Sequence, residues 1–343
     1  MITGKRILVT GAGGSIGSTL AKALVAHDPH ALILLDHSEH NLYRVQVDLS
    51  TTPRCVEPIP ILGDVCDGAL LAEVIERYRP EVIYHSAAFK HVPLMEANPL
   101  AAIRNNALGT FTLARAAADN ATPKLIMIST DKAVNPHSVM GASKRIAELA
   151  LTRLSNTLTQ MKAIRLGNVL SSEGSVVPLF REQISRGGPV TVTHPDATRY
   201  FLSMGQAIEL VLAMGALEED GTIFVPVMGN AITILDLARR LIKEAGLRPE
   251  EDVPIIFTGL RPGDKMTEDL TSANEFLEST SDSKLYRVGA SRALPNEFDV
   301  LISDLAERLH SRDVAALLEI VSRLVPEYRP SDFLLGSLKY SPV

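Results

Sequence analysis

Arg6-Ile7-Leu8-Val9-Thr10-Gly11-Ala12-Gly13-Gly14-Ser15-Ile16-Gly17 sets an apolar strand directly before a glycine-rich loop, and Leu20, Ala21, Ala23, Leu24 and Val25 continue it as a helix. Glycine is needed where backbone N–H groups at a helix N-terminus approach a pyrophosphate closely, and the helix dipole adds attraction for the anion. A glycine loop in isolation is a weak signal, and its surroundings decide the reading. Ala31-Leu32-Ile33-Leu34-Leu35-Asp36 is a second strand ending in an acid, placed where a ribose 2′-hydroxyl is read. Gly11, Gly13, Gly14, Ser15, Ile16, Gly17, Asp36 and Ser38 are therefore the expected cofactor contacts. The Asp36 carboxylate repels a 2′-phosphate and His37-Ser38 supply no arginine to offset it, so NAD is expected over NADP.

Outward from this unit, strands and helices alternate. Pro60 to Val65 ends a third strand, where Asp64 beside Val65 is a candidate acceptor for the adenine amino group. A helix N-cap is an equal reading for Asp64 or Asp67. Glu81 to Ala88 is a fourth strand whose small residues Ala87 and Ala88 let a cofactor pass close to the backbone, and His85 reads as a packed core histidine. Lys90-His91-Val92-Pro93 starts a loop. Asn98-Pro99 starts a helix carrying Ile103, Ala107 and Phe111, which puts Asn106 beside the nicotinamide end. The apolar run Lys124 to Lys132 is a buried parallel strand that delivers Thr130, Asp131 and Lys132 at its C-terminal end, where open α/β sheets bind ligands. The competing reading of that end is a solvated turn with surface charges. Lys144 lies in a segment, Ala142 to Leu158, whose apolar residues recur at helical spacing, and Met161 to Val169 is the next strand. The alternation means an α/β fold with a doubly wound parallel sheet of Rossmann type.

After Asn168 the regularity breaks. Residues 1–168 are expected to form the nucleotide-binding domain, with 203–228 returning to it through a helix Met204 to Leu217 and a strand Thr222 to Pro226. Residues 169–202 and 229–343 are left for a smaller C-terminal substrate lobe. Arg181, Arg199 and Arg261 fall in loops of that lobe, and guanidinium suits bidentate phosphate recognition, so a nucleotide diphosphate is an attractive substrate. For any one of them taken singly, a surface salt bridge is the better reading.

Composition narrows the field further. The 343 residues are 46% hydrophobic and 22% charged, enough for a large core and about two domains. A net charge of -6 without a basic block argues against nucleic acid as the main partner. Cys55 and Cys66 form no C-x-x-C pair, which excludes a disulfide scaffold and a cysteine zinc site and fits a reducing cytoplasm; no metal is expected. No apolar run approaches the roughly 20 residues of a membrane helix, and the first strand starts too early to leave room for a targeting segment.

The ordered set Gly11-x-x-Gly14-x-x-Gly17, Asp36, Asn106-x-x-Gly109-Thr110 and Lys144 resembles the extended short-chain dehydrogenase/reductase superfamily. Four longer stretches, His85 to Glu96, Ser129 to Pro136, Gly174 to Phe180 and Gly259 to Lys265, look like the polysaccharide-biosynthesis nucleotide-sugar 4,6-dehydratases, the family acting on UDP-N-acetylglucosamine. The resemblance covers nearly the whole chain. It implies tightly held NAD, with Val65, Ala87, Ala88, Lys90, Asn106 and Lys144 joining the cofactor contacts. It also implies a UDP-sugar gripped by Lys90, His91, Asn168, Val176, Val177, Arg181, Arg199, Arg261 and Asp264, and a homo-oligomer. Met140 departs from the superfamily, which mostly has the catalytic tyrosine of a Tyr-x-x-x-Lys pair there. A thioether cannot take a proton from a sugar hydroxyl. The membrane-anchored branch of the dehydratases also has methionine at this place, usually after N-terminal membrane helices. Their absence here reads as a soluble relative or a shortened chain.

The implied reaction is redox-neutral: hydride leaves C4 for NAD, the 4-ketone acidifies the C5 proton, water leaves C6, and hydride returns to C6. Thr130, Asp131, Lys132, Met140 and Lys144 are the expected catalytic set. Thr130 bonds the 4-oxygen, Asp131 protonates the departing 6-hydroxyl, and Lys132 takes the C5 proton, which calls for a depressed pKa. Asp131, Lys132 or a water relayed through Thr130 are the candidates for removing the 4-hydroxyl proton. A nucleotide-sugar epimerase shares fold and cofactor but needs no such acid and base pair. A non-catalytic NAD-sensing regulator has Met140 alone in its favour.

Overall fold

The computed structural model describes residues 2–51, 56–156, 158–170, 172–218, 222–290 and 294–339, which leaves Cys55 outside the described residues. The first half is β1 (Arg6–Thr10), α1 (Ser15–Val25), β2 (Ala31–Asp36), α2 (Glu39–Ser50), β3 (Ile59–Leu62), α3 (Gly68–Tyr78), β4 (Val82–His85), α4 (Val92–Glu96), α5 (Pro99–Ala102), a π-helical turn at Ile103–Leu108, α6 (Gly109–Asp119), β5 (Lys124–Thr130), a 3-10 turn at Asp131–Ala133, α7 (Val139–Leu154) and β6 (Gln160–Leu166). β1, β2 and β4 are buried almost along their whole length because helices cover both faces of the sheet. All these strands are parallel, in the order β3-β2-β1-β4-β5-β6. The winding reverses between β1 and β4, so the carboxyl ends of these two strands open the crevice in which such sheets bind ligands.

The helix expected from Asn98 onward is broken into α5, the π turn and α6, and the expected loop at Lys90 closes into α4 with His91 at its N-cap position. Asp67 rather than Asp64 caps α3, accepting from the Leu70 N–H at 3.0 Å. His85 is a core residue: Thr10 Oγ1 lies 2.7 Å from Nδ1 and Thr110 Oγ1 2.9 Å from Nε2, and burial pushes the imidazole down to about 3.

The second half comprises β7 (Asn168–Val169), α8 (Val176–Ser185), β8 (Val190–Val192), β9 (Thr198–Arg199), β10 (Phe201–Leu202), α9 (Met204–Ala216), β11 (Ile223–Pro226), β12 (Ile232–Thr233), α10 (Ile234–Glu244), β13 (Ile255–Phe257), β14 (Glu275–Ser279), β15 (Leu285–Ala290), α11 (Phe298–Ser311), α12 (Val314–Leu324) and α13 (Asp332–Lys339). β11 joins the main sheet beside β6, parallel to it. A lobe with its own core forms from α8, β8, α10 and β13, closed by Val177, Phe180, Ile184, Val192, Leu237 and Leu241.

Two expectations change here. Residues 229–343 do not all stay in the lobe: β14 and β15 form an antiparallel hairpin that extends the main sheet beyond β11. The hairpin pairs the free edge of β11, a long-range demand that local sequence does not announce. The helices containing Ile103 to Leu113 and Ile146 to Leu154, the expected place of subunit pairing in the homo-oligomer that the resemblance implies, are covered by the chain's own α11 and α12, because Ile103, Ala107, Ile146 and Ala150 share one buried apolar cluster with Leu301, Leu305, Leu317 and Val321. That face is therefore spent within one chain.

Candidate active site

At the crevice between β1 and β4 the glycine loop is held tightly. Gly11 has φ +65°, and a Cβ there would lie 2.5 Å from the Ala87 nitrogen, so no other residue fits without displacing the β4 exit. Asp36 is buried and its carboxylate is fixed by two backbone donors, Gly13 N–H and Ser38 N–H, each at 2.8 Å. Each oxygen keeps a lone pair for a hydroxyl. Ser38 also caps α2. Lys144 on α7 is 4% exposed and makes no hydrogen bond or ion pair among the described residues, and burial, only partly opposed by Glu148, lowers its ammonium to about 8. A buried, unpartnered amine within the same fold as a glycine loop and a fixed acid fits a dinucleotide whose ribose hydroxyls supply the missing acceptors.

Other expected cofactor contacts are already engaged within the chain. Asn106 donates to the Phe89 carbonyl at 2.9 Å and to Ser143 Oγ at 3.0 Å, while its Oδ1 accepts from Phe89 N–H and from Asn105. Both donors and the acceptor are used, so Asn106 secures the β4 exit against α7 and does not reach a ligand. Asp64 accepts from Cys66 N–H at 2.9 Å and pairs with Arg104 at 3.0 Å; Val65 beside it is buried. Ser15 Oγ accepts from the Glu173 N–H at 3.0 Å, and Lys90 Nζ donates to the Glu173 carbonyl at 2.6 Å, which straps the Ser172–Gly174 segment across the glycine loop. Ile16 packs at the edge of the core below it, and Gly14 and Gly17 open α1.

β5 ends in the reactive cluster. Thr130 Oγ1 donates to Asp131 Oδ1 at 2.9 Å, and Lys132 Nζ donates to the same oxygen at 2.9 Å and to Asn168 Oδ1 at 2.9 Å. Asp131 is fully buried, and its Oδ2 has no hydrogen-bond partner. The reading of this end as a solvated turn is thereby overturned. The turn is held from below by α7, since a Cβ on Gly141 would lie 2.2 Å from the Lys132 carbonyl oxygen.

The expected depressed pKa of Lys132 is corrected. Burial by itself lowers it, but the carboxylates of Asp131 and Glu268 outweigh burial and hold the ammonium above the ordinary lysine value. Glu268 was not legible as a site residue. It follows the Gly259–Lys265 stretch by three positions and reads as a surface acid, yet it is 6% exposed, with Oε1 3.8 Å from Lys132 Nζ. Met140 is also corrected: it is 3% exposed within an apolar cluster and contributes packing, not proton chemistry.

The lobe presents some of the expected cations and withholds others. Arg199 lies on β9, not in a loop, and its guanidinium donates to the carbonyls of Thr198, Met266 and Lys265 at 2.7, 3.1 and 2.9 Å. It is buried and committed to backbone, so it ties the 265–266 loop down and is not a phosphate ligand. Val177 is corrected likewise, since its side chain belongs to the lobe core; Val176 packs partly against it. Arg181 sits on α8 rather than in a loop, exposed and without an ion pair among the described residues. Arg261 is in a loop and exposed, held by Asp264 at 2.8 Å. His91 rests against Gly174, and burial followed by the nearby charges of Lys90 and Arg261 pushes its imidazole below the ordinary value. Arg261 and Lys90 thus form a cationic neighbourhood around the His91 imidazole beside the strap.

This is a Rossmann-type doubly wound α/β fold with its crevice at the carboxyl ends of β1 and β4. The family model described as "Polysaccharide biosynthesis protein" matches residues 7–290, and the chain belongs to that family. It is 46% identical over 94% of its length to the capsular polysaccharide biosynthesis protein CapD of Staphylococcus aureus, and spans 54% of that protein, about half its length. It is 33% identical to the UDP-glucose 4-epimerase of Rickettsia canadensis, covering 84% of each chain. Among solved structures it is similar in fold to DesIV of Streptomyces venezuelae, a dTDP-glucose 4,6-dehydratase with NAD bound, at a TM-score of 0.69 and 22% identity over 77% of this chain and 88% of the other. No helix among the described residues is long and apolar enough to cross a membrane.

Proposed function

We propose that the chain is an NAD-dependent nucleotide-sugar 4,6-dehydratase acting on UDP-N-acetylglucosamine. The observation that carries this reading is the hydrogen-bonded Thr130, Asp131 and Lys132 cluster, which puts an acid and a base at the end of β5. Eliminating water needs an acid for the departing 6-hydroxyl and a base for the C5 proton, whereas 4-epimerisation needs only a base at the 4-hydroxyl. Bound nicotinamide supplies the acceptor for the C4 hydride and its donor for C6. Thr130 Oγ1 takes the 4-hydroxyl proton while its own passes to Asp131 Oδ1, 2.9 Å away, so the relay dispenses with a tyrosine at position 140. Asp131, now neutral, gives that proton to the departing 6-hydroxyl. Lys132 in its neutral form removes the C5 proton and later returns it to C5. The 4-hydroxyl proton thus leaves in the water, and the C5 proton is restored.

Lys144 holds the nicotinamide ribose through its unpartnered ammonium, and Asp36 accepts from the adenosine ribose 2′-hydroxyl. Arg261, His91 and Arg181 are the groups left to meet the diphosphate, since Arg199 is committed elsewhere. The likeness to an NAD-bound 4,6-dehydratase and the membership of a polysaccharide-biosynthesis family support the reading. The 33% identity to a UDP-glucose 4-epimerase supports the rival. Incubation with UDP-N-acetylglucosamine followed by mass analysis separates them: a product lighter by one water is expected, whereas an isomer of unchanged mass would establish the epimerase.

A further inference from the structure

Glu268 is the buried acid that the proposed chemistry leaves unused. Its loop is fastened on several sides: Lys265 Nζ donates to the Val134 carbonyl at 2.7 Å, Arg199 holds the Lys265 and Met266 carbonyls, and Arg165 reaches the Leu270 carbonyl at 3.3 Å. The side chain is 2% exposed, yet Oε2 has no hydrogen-bond partner. A buried carboxylate without hydrogen bonds is costly, and an acid serving only the fold is normally saturated. The charged groups facing Glu268 are Lys132 at 3.8 Å and Asp131 from the β5 end, Arg199 at 3.6 Å from β9, and Lys265 at 3.7 Å from its own loop, itself 3.6 Å from Asp269. Lys132 therefore stands between two carboxylates, and only one of them, Asp131, bonds to it directly.

We propose that Glu268 is a positioning residue for the reaction, the second carboxylate that sets whether Lys132 carries a proton, an inference that rests on Lys132 being the C5 base. A flanking carboxylate favours the ammonium, and burial in an apolar cleft favours the neutral amine. Removing the Glu268 charge tips that balance toward the amine. Burial also raises the Glu268 carboxyl itself, with Lys132 pulling it the other way and Asp131 adding to the rise, so the two groups titrate together.

The test is the pH dependence of product formation from UDP-N-acetylglucosamine by the NAD-loaded protein. In the parent, turnover falls on the acid side as Lys132 becomes protonated. Glu268→Gln should move that limb to lower pH by about one unit or more, which is roughly a tenfold change in the amine fraction well below the limb. Glu268→Asp, which keeps the charge, should leave it near the parental position. A limb unmoved in Glu268→Gln overturns the proposal. If Glu268→Gln does not fold, the lysine 13Cε titration of Glu268→Ala decides, with the Lys132 signal assigned by its loss in Lys132→Met. A Lys132 midpoint lower than the parent's supports the proposal, and an unchanged midpoint overturns it. Exchange of the C5 hydrogen with deuterated water keeps the two readings apart. Exchange that survives in Lys132→Met would mean Lys132 is not the base; exchange lost there, with an unmoved limb in Glu268→Gln, would remove Glu268 alone.

Discussion

Two buried ionic networks start from neighbouring residues of β5 and differ in completeness. Ser129 donates to Glu148 Oε1 at 2.6 Å; the same carboxylate takes Arg165 at 3.0 and 2.8 Å and Arg145 at 2.9 Å, and Arg165 continues to both oxygens of Glu275 at 2.8 Å. Every oxygen there is bonded, and the network ties α7 and β6 to the hairpin edge at β14. Thr130, the next residue, faces the other network, where Asp131 Oδ2 and Glu268 Oε2 have no hydrogen-bond partner. A saturated cluster is a structural joint, whereas an unsaturated buried one retains bonding capacity for a ligand. The pKa directions agree: the arginines outweigh burial and bring Glu148 down to about 2, while Glu268 is raised.

The comparison can be broken most decisively at Lys132. Lys132→Ala should lose roughly 10²- to 10⁴-fold in turnover, the range for a positioned general base, while reduced cofactor accumulates with near-ultraviolet absorbance on adding substrate. Turnover within about tenfold of the parent would send the search for the base elsewhere. Asp131→Asn removes the end of the Thr130 proton relay and should slow C4 oxidation as well as loss of water, so that neither reduced cofactor nor C5 deuterium exchange builds up.

The closed network should respond in the opposite sense. Arg165→Met strands two buried carboxylates and should destabilise the fold by about 3 to 5 kcal/mol in denaturant titration, with any surviving folded fraction still binding NAD. A stability loss no larger than that of Asp131→Asn would erase the distinction.

Acid sharpens it further. Against the burial that would raise it, Arg165 and Arg145 hold Glu148 down to about 2, below the ordinary value of 4.5, so its contribution is complete above the unfolded value and is lost as the pH falls from 4.5 toward 2. Acid unfolding of Glu148→Gln, followed by circular dichroism, should be flatter than the parent's across that window.

The smallest effect is expected at the exposed end of the site. Arg261 is 58% exposed and already paired with Asp264, so Arg261→Ala should weaken UDP binding by about 1.5 to 3 kcal/mol in calorimetry, the value of charged hydrogen bonds and less than the loss of a buried pair. Unchanged UDP affinity would place the diphosphate elsewhere.

Much of the site was readable because its parts are local. Gly11 to Gly17, the acid at Asp36 and the Thr130, Asp131 and Lys132 tip each follow from a strand entering a turn, and α/β alternation stacks those turns at one edge of the sheet. Residues whose role depends on distant partners were not readable. Asn106 looked like a ligand contact until Phe89 and Ser143 were found to occupy it, and Arg199 like a phosphate clamp until its guanidinium was found on backbone carbonyls.

The sequence by itself determined the doubly wound core and the order of its strands' functional ends, because hydrophobic period and glycine placement act over a few residues. Only the tertiary structure decided that Lys132 is held as an ammonium rather than an amine. That outcome depends on the adjoining Asp131 carboxylate together with Glu268, 136 positions away in sequence and 3.8 Å away in space, which jointly outweigh the desolvation that burial alone imposes. It likewise decided that α11 and α12 cover the helices at Ile103 and Ile146, since a face is known to be free only when every segment able to bury it has been placed.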